Sequence, residues 1–151
     1  MKKHDEGYAL VLVLVVMIVI SLVAATVLTF SLRNLQNQQK SIQRMEDKYE
    51  AQGKIEKEVQ KIIAATDFVA LGDSYVTASG TISDDKKTLS LTLKANSENN
   101  NVTVVCTVNI PSTEDIVTKT ENSIDYYKLS VSADAKPEYT SYEITYQEVP
   151  E

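Results

Sequence analysis

The peptide bond between Gly7 and Tyr8 joins two segments of opposite character, and its cleavage is the first chemistry that these residues suggest. The preceding segment, MKKHDE, carries four charged side chains, whereas the 26 residues from Gly7 to Leu32 carry none. Glycine has no side chain, so it leaves the backbone accessible at this junction. Three outcomes are open: the apolar run is a signal that is removed, an anchor that is kept, or an anchor that is freed by trimming the charged residues alone.

Side chains for other chemistry are few. His4 is the only histidine and lies in the charged segment, so no Ser–His–Asp or Cys–His set can be assembled. We therefore expect a protein without enzymatic activity, metal or cofactor. Cys106 is the only cysteine, which excludes an internal disulfide, and its alternation with Val104 and Val108 predicts a buried structural thiol.

The charge of the chain is uneven along its length. Residues 1–65 hold nine Lys or Arg against seven Asp or Glu, and residues 66–151 hold six against fourteen, which gives +2 and −8 and sums to the net −6. An acidic surface repels phosphate groups, so direct binding of DNA or RNA by the second part is not expected. The 151 residues have room for one modest domain and an appendage.

Residues 8–32 are predicted to form a transmembrane helix, because about 20 apolar residues suffice to cross the hydrocarbon core. Sixteen of them are Leu, Ile, Val or Phe, and at about 0.3–0.6 kcal/mol each they favour insertion by roughly 5–10 kcal/mol. In lipid, a helix satisfies every backbone donor and acceptor within the segment. The stretch Val23-Ala24-Ala25 fits a signal-peptidase site, but the apolar run is longer than a usual signal and passes through it without a helix breaker.

Residues 33–65 are predicted to continue the same helix, since they contain no proline and Gly53 is the one weak point. Apolar residues recur in them at spacings of three, four and seven, which predicts an amphipathic helix with one apolar stripe. The stripe consists of Leu35, Ile42, Met45, Tyr49, Ile55, Val59 and Ile62. Such a stripe needs another apolar surface to cover it.

Residues 66–151 are predicted to form a β-sheet domain that supplies this cover. Apolar residues alternate in five segments, at residues 76–80, 89–93, 102–110, 127–131 and 142–146. The segments between them have turn or loop composition, including the long loop 111–123, so consecutive strands are predicted to pair as an antiparallel meander. The predicted fold class is α+β: a long N-terminal helix, with a transmembrane half and an amphipathic half, packed on a small antiparallel β-sheet.

In this arrangement the chain resembles the type IV pilin and pseudopilin family, whose members begin with a class III signal. The resemblance is carried by the leader MKKHDEG (residues 1–7), by Tyr8 and the uncharged helix after it, and by the segment YEAQGKIEKEV (49–59). It implies that a prepilin peptidase cuts between Gly7 and Tyr8 and that the new amino group of Tyr8 is N-methylated.

The resemblance also implies partners and a location. The partners are other pilin subunits, the prepilin peptidase, an inner-membrane assembly platform and its ATPase. The protein would cross the cytoplasmic membrane once before assembly and lie in a cell-surface pilus or pseudopilus afterwards.

Leu12 departs from the family pattern. Most pilins carry glutamate at the fifth position of the processed chain, where its carboxylate meets the amino terminus of the subunit assembled above. Leu12 occupies that position here, so this chain offers no such carboxylate to the subunit above. Its own Tyr8 amine can still pair with the carboxylate of the subunit below. The same lack is typical of PilX-type minor pilins, and the resemblance therefore implies a minor, initiating or tip subunit.

Two interpretations from other classes remain open. In the first, the chain is a permanently anchored single-span surface protein whose β-domain binds a ligand or a peptide. In the second, it is a secreted domain released after Ala25. The tyrosines of the last two predicted strands are explained most simply by cross-strand packing, with an exposed adhesive face as the alternative. They are Tyr126, Tyr127, Tyr139, Tyr142 and Tyr146.

Overall fold

The fold was determined as a computed structural model, which describes the backbone of residues 3–147 and the side chains of residues 7–147. The predicted leader, residues 1–7, lies outside the described side chains except at Gly7. The chain divides between Ile42 and Gln43 into two units, and each is described by itself.

One α-helix, α1, comprises Lys3–Ala64 and includes both helical segments predicted from the sequence. Gly53 does not interrupt it. The helix ends where Thr66 and Asp67 follow, and the Asp67 carboxylate accepts the N–H of Phe68 at 2.8 Å, an alternative backbone partner of the kind that short polar side chains offer at helix ends. The predicted end at residue 65 is therefore correct within one residue.

All strands of the described residues follow α1. They are β1 Val69–Ala70, β2 Val76–Ile82, β3 Thr88–Asn96, β4 Val102–Pro111, β5 Val117–Glu121, β6 Ile124–Lys128 and β7 Glu138–Tyr146. Every pairing between them is antiparallel. The α+β class predicted from the sequence is confirmed.

The strands form two sheets, so the prediction of a single five-stranded meander is wrong in its connections. A four-stranded sheet has the order β2-β3-β4-β7, and a three-stranded sheet has the order β1-β6-β5. The predicted loop 111–123 contains β5, and the fourth predicted strand, 127–131, begins earlier, as β6. β5 and β6 pair locally with each other, which leaves the place beside β4 to β7.

A two-residue turn explains this local pairing. Glu121 and Ile124 are paired, and the residues between them, Asn122 and Ser123, have φ angles of 53° and 63°. Two central residues with positive φ make a type I′ turn, whose twist matches that of the flanking strands. The turn is built without glycine, the residue that usually signals it, and this is why the hairpin was not predicted.

Replacing Ser123 with glycine is expected to stabilise the protein. Serine at positive φ is strained and glycine is not, so the free energy of unfolding should rise by about 0.5–1 kcal/mol. This corresponds to an increase in Tm of about 2–5 °C for a domain of this size. Thermal melting of the full chain in detergent, followed by near-ultraviolet circular dichroism, measures it. Ser123→Ala is the matched control; an equal Tm for both variants would contradict the prediction.

The core lies between α1 and one face of the four-stranded sheet. Buried helix residues recur at spacings of four, four and three: Ala51, Ile55, Val59 and Ile62. They face the buried positions of β2, β3 and β4, which alternate along each strand. The three-stranded sheet adds Tyr127 to the same cluster. The prediction that the sheet domain covers an apolar helix face is confirmed for residues 51–62.

The rest of the predicted stripe is exposed, and this part of the prediction is wrong. Leu35, Ile42, Met45 and Tyr49 are each more than half exposed. At about 100° per residue, Met45 and Tyr49 lie on average about 90° around the helix from Ile55, Val59 and Ile62. The apolar face therefore changes between Tyr49 and Ile55, whose spacing of six departs from the predicted spacings of three, four and seven.

Candidate functional site

Gly7 and Tyr8 both lie in α1, and neither is held by other parts of the chain. A Cβ atom at Gly7 would meet no atom within 4 Å, and Tyr8 is 73 % exposed. Packing within the described chain thus does not require glycine at position 7.

Leu12 lies one helical turn beyond Tyr8. Residues four apart in a helix share a face, so the structure brings these two predicted residues together. Leu12 is half exposed and apolar. It provides no negative charge for the amino group that cleavage before Tyr8 would create, nor for the amino group of a neighbouring subunit.

Three hydroxyl groups in the apolar part of α1 form hydrogen bonds with the backbone of the same helix. The hydroxyls of Ser21, Thr26 and Thr29 donate to carbonyl oxygens three or four residues earlier, at 2.8–2.9 Å. The most apolar 18-residue stretch of α1 is not buried, and α1 is long and apolar enough to cross a membrane. These properties suit a hydrocarbon environment, where each unsatisfied polar group is costly.

Cys106 is buried in the core, as the sequence predicted. Burial raises the pKa of its thiol above the usual value because the low-dielectric interior disfavours the thiolate. Among the residues that the structure describes, no group of three or more His, Cys, Asp or Glu side chains is placed to hold a metal ion. Cys106 is therefore a structural residue.

We expect Cys106 in the folded chain to react with iodoacetamide at least about 100-fold more slowly than in the unfolded chain. The thiolate is the reactive form. A raised pKa lowers the fraction of thiolate at any given pH, and burial limits the access of iodoacetamide to it. The half-maximal rate should also shift to higher pH in the folded state. Mass spectrometry of the singly labelled chain, with and without urea, measures both rates. Similar rates in the two states would contradict the burial.

Glu58 is a buried carboxylate that the sequence did not single out. It is 2 % exposed and accepts two hydrogen bonds from the Lys61 ammonium group, at 2.9 and 3.1 Å, and one from the Gly72 N–H at 2.9 Å. Gly72 has a φ of 78°, and a Cβ there would lie 2.7 Å from the Val76 carbonyl oxygen. Glu58 therefore fixes the loop before β2; the only signal in the sequence was the spacing of Glu58 and Lys61.

Of the five tyrosines near the C-terminus, Tyr126 is half-buried, and the other four fall into two groups. Tyr127 is buried, and its hydroxyl lies 3.5 Å from the Gly80 carbonyl oxygen. Tyr139, Tyr142 and Tyr146, all on β7, are 44–48 % exposed. Packing thus accounts for Tyr127 in full but leaves about half of each β7 tyrosine in contact with solvent.

No family model, curated protein or solved structure matches the chain. The function proposed below therefore depends on the residues and contacts described above.

Proposed function

We propose that this chain is a minor subunit, at the initiating or tip position, of a type IV pilus-like filament, and that its role is structural. One observation carries the proposal: a single helix runs without a break from the charged segment before Gly7, through the uncharged run, to the residues that pack on the β-sheet domain. A subunit that leaves the membrane for a filament needs such a rod, because the apolar part must stay attached to the domain that it carries.

The exposed side chains of the apolar run support this proposal. From Tyr8 to Leu32 the large hydrophobic side chains of α1 are about half exposed or more. Lipid would surround them before assembly, and the apolar helices of neighbouring subunits would replace lipid afterwards. Between apolar helices the cohesion comes from dispersion contacts and close packing.

Leu12 supports the terminal position. A subunit with glutamate there would pair with the amino terminus of the subunit above, whereas leucine leaves only the Tyr8 amine, which pairs with a carboxylate from below. A subunit that needs a partner on one side alone fits the end of a filament.

The partners follow from the same proposal. A prepilin peptidase would cut before Tyr8, and an inner-membrane platform with its cytoplasmic ATPase would move the subunit into the filament. The protein would lie in the cytoplasmic membrane before assembly and at the cell surface after it. The acidic β-sheet domain is not expected to bind nucleic acid directly.

Intact-mass measurement of the protein extracted from membranes tests the proposal. The expected mass lacks residues 1–7 and includes one added methyl group, which fragmentation would place on the amine of Tyr8. A chain that keeps residues 1–7 would support the permanently anchored surface protein instead. A chain that begins after Ala25 would support a secreted domain, and either result would overturn the filament proposal.

A further inference from the structure

β7 is an open edge of the four-stranded sheet. It pairs with β4 on one side, and within the described residues no backbone group bonds to its other side. The opposite edge, β2, is partly closed: the N–H of Asp73 donates to the Val76 carbonyl oxygen at 3.0 Å, and the Tyr127 hydroxyl approaches Gly80. β7 is therefore the long edge available to another strand.

The hydrogen bonds of β7 show which of its residues face the open side. The N–H of Gln147 donates to the Asn101 carbonyl oxygen at 2.8 Å, and the same register continues along β4 and β7. In an antiparallel pair, residues that exchange hydrogen bonds alternate with residues whose N–H and C=O point away. The residues of β7 that point away from β4 are thus Tyr142, Ile144 and Tyr146, and each offers one donor and one acceptor.

The side chains of these three residues lie on the helix-facing side of the sheet. They pair across with the buried residues Cys106, Val104 and Val102. Residues on one face of a strand are normally two apart, but the register shifts next to Thr107, so that Tyr139 also falls on this face, opposite Val108. The shift therefore gathers three half-exposed tyrosines and Ile144 on one face of the open edge.

An open groove of about 320 Å³ lies between this face and α1. It is lined by Gln52, Ile55, Glu56, Tyr139 and Tyr142. At about 100° per residue, the exposed Met45 and Tyr49 fall on the same side of α1 as Gln52 and Glu56, within about 60° of one another. A strand added to β7 would lie beside this side of the helix and cover its apolar side chains.

The charge around the groove is negative at the end near Tyr139. Glu56 is exposed there and forms no ion pair with another described residue. Burial, and then the nearby Glu56 carboxylate, raise the pKa of the Tyr139 hydroxyl. Arg44 lies at the other end, 5.8 Å from the centre of the Tyr146 ring. A partner with positive side chains near Tyr139 would complement this distribution.

We infer that the open edge of β7 binds an extended, basic peptide segment of a partner protein by strand addition. Backbone hydrogen bonds to Tyr142, Ile144 and Tyr146 hold the segment. Its apolar side chains lie along the groove, and a Lys or Arg pairs with Glu56. Strand addition of this kind obtains affinity from the backbone and specificity from alternate side chains. The inference goes beyond the proposed filament function and does not depend on cleavage before Tyr8.

The probe is a fluorescein-labelled synthetic peptide, TVTVTVTKT, which has the length of β7. Its valines and its lysine alternate with threonines, so they share the face of the strand that lies on the groove. It is titrated into the full chain in lipid nanodiscs while fluorescence anisotropy is recorded. We expect a Kd of about 1–100 μM, in the range of transient strand addition. Two matched peptides should bind at least about tenfold more weakly: TVTVTVTET, which reverses the charge, and TVTVTVTKT with N-methylated amides, which cannot donate along the edge.

Two pairs of protein variants localise the site. Glu56→Lys is expected to weaken binding of TVTVTVTKT about fivefold or more, whereas Glu46→Lys, the same change at an exposed position outside the groove, should have less than about a twofold effect. Tyr142→Pro removes an outward N–H, which edge strands tolerate, and should abolish binding. Tyr142→Thr keeps that N–H and should weaken binding only in part. Thermal melting verifies that each variant is folded.

Amide hydrogen exchange gives a readout that does not depend on affinity. The peptide should slow exchange at Tyr142, Ile144 and Tyr146 by at least about tenfold. Failure of the wild-type chain to bind the peptide would overturn the inference. So would equal binding of the acidic or N-methylated peptide, protection at another strand, or self-association of the chain through β7, which would identify a second copy as the occupant. None of these results would affect the expected mass of the processed chain.

Discussion

When valine replaces Gly7, the chain extracted from membranes is expected to keep residues 1–7 and its unmethylated amino terminus. The wild-type chain is expected to lose residues 1–7 and to carry a methyl group on the new amine of Tyr8. A Cβ at position 7 would meet no atom of the protein within 4 Å, so the substitution leaves α1 intact. Under the proposed function, its effect falls on the prepilin peptidase, which loses the unobstructed backbone that glycine provides. The loss of processing should be essentially complete, and intact-mass spectrometry of chain co-produced with a prepilin peptidase measures it.

Gly53→Val is the matched control for this experiment. Gly53 is also a helical glycine, exposed, and a Cβ there would likewise meet nothing within 4 Å. The same chemical change is therefore made on the same helix at a position far along the chain from the junction. We expect this variant to be processed like the wild type. Two results would contradict a role for Gly7 in recognition by the peptidase. One is removal of residues 1–7 from the Gly7→Val variant, and the other is retention of these residues in both variants.

The helix could be predicted from the sequence because its determinants are local. An uncharged run of 26 residues and the absence of proline up to residue 65 each favour a helix without reference to the rest of the chain. Strands β2, β3, β4 and β7 were likewise visible as apolar alternation. In each case the pattern within one segment carries the information.

Strand order could not be predicted in the same way, because it depends on which segments compete for one sheet edge. The turn at Asn122–Ser123 lets β6 pair with β5, and β7 then takes the edge beside β4. A turn without glycine gives a weak signal, and β5 is fully exposed, so its alternation does not mark a buried face. The missed hairpin is the reason that the single meander was predicted.

The junction at Gly7 could be predicted from one segment of the sequence, whereas the groove beside β7 could not. Gly7, Tyr8 and Leu12 are adjacent or one turn apart, so their grouping could be predicted from the sequence. Glu56 and Tyr142 are separated by 86 positions, the difference of their numbers, and line the same groove only because β7 pairs with β4 at the edge of the sheet. No spacing within one segment encodes that approach.

Replacing Leu12 with glutamate is expected to change where the protein is found in a filament, if the proposed function is correct. The wild-type chain should lie at filament ends, whereas the variant should also lie along the shaft. Position 12 is one turn from Tyr8, and a carboxylate there can pair with the amino terminus of the subunit above. On insertion scales a charged residue costs about 2.5–3.5 kcal/mol at the centre of a span, less than the roughly 5–10 kcal/mol that favours insertion of this one. The variant should therefore still enter the membrane.

Leu12→Gln is the control that separates charge from polarity, since glutamine has the shape of glutamate but cannot form an ion pair with an amine. It should remain at filament ends like the wild type. Immunogold labelling of purified filaments, with antibody against the β-sheet domain, measures the distribution of each form. Even labelling of the wild type along the shaft would contradict the tip position. Equal distributions of the Glu and Gln variants would show that the carboxylate does not determine the position, because only a charged group at residue 12 can neutralise the amine above it.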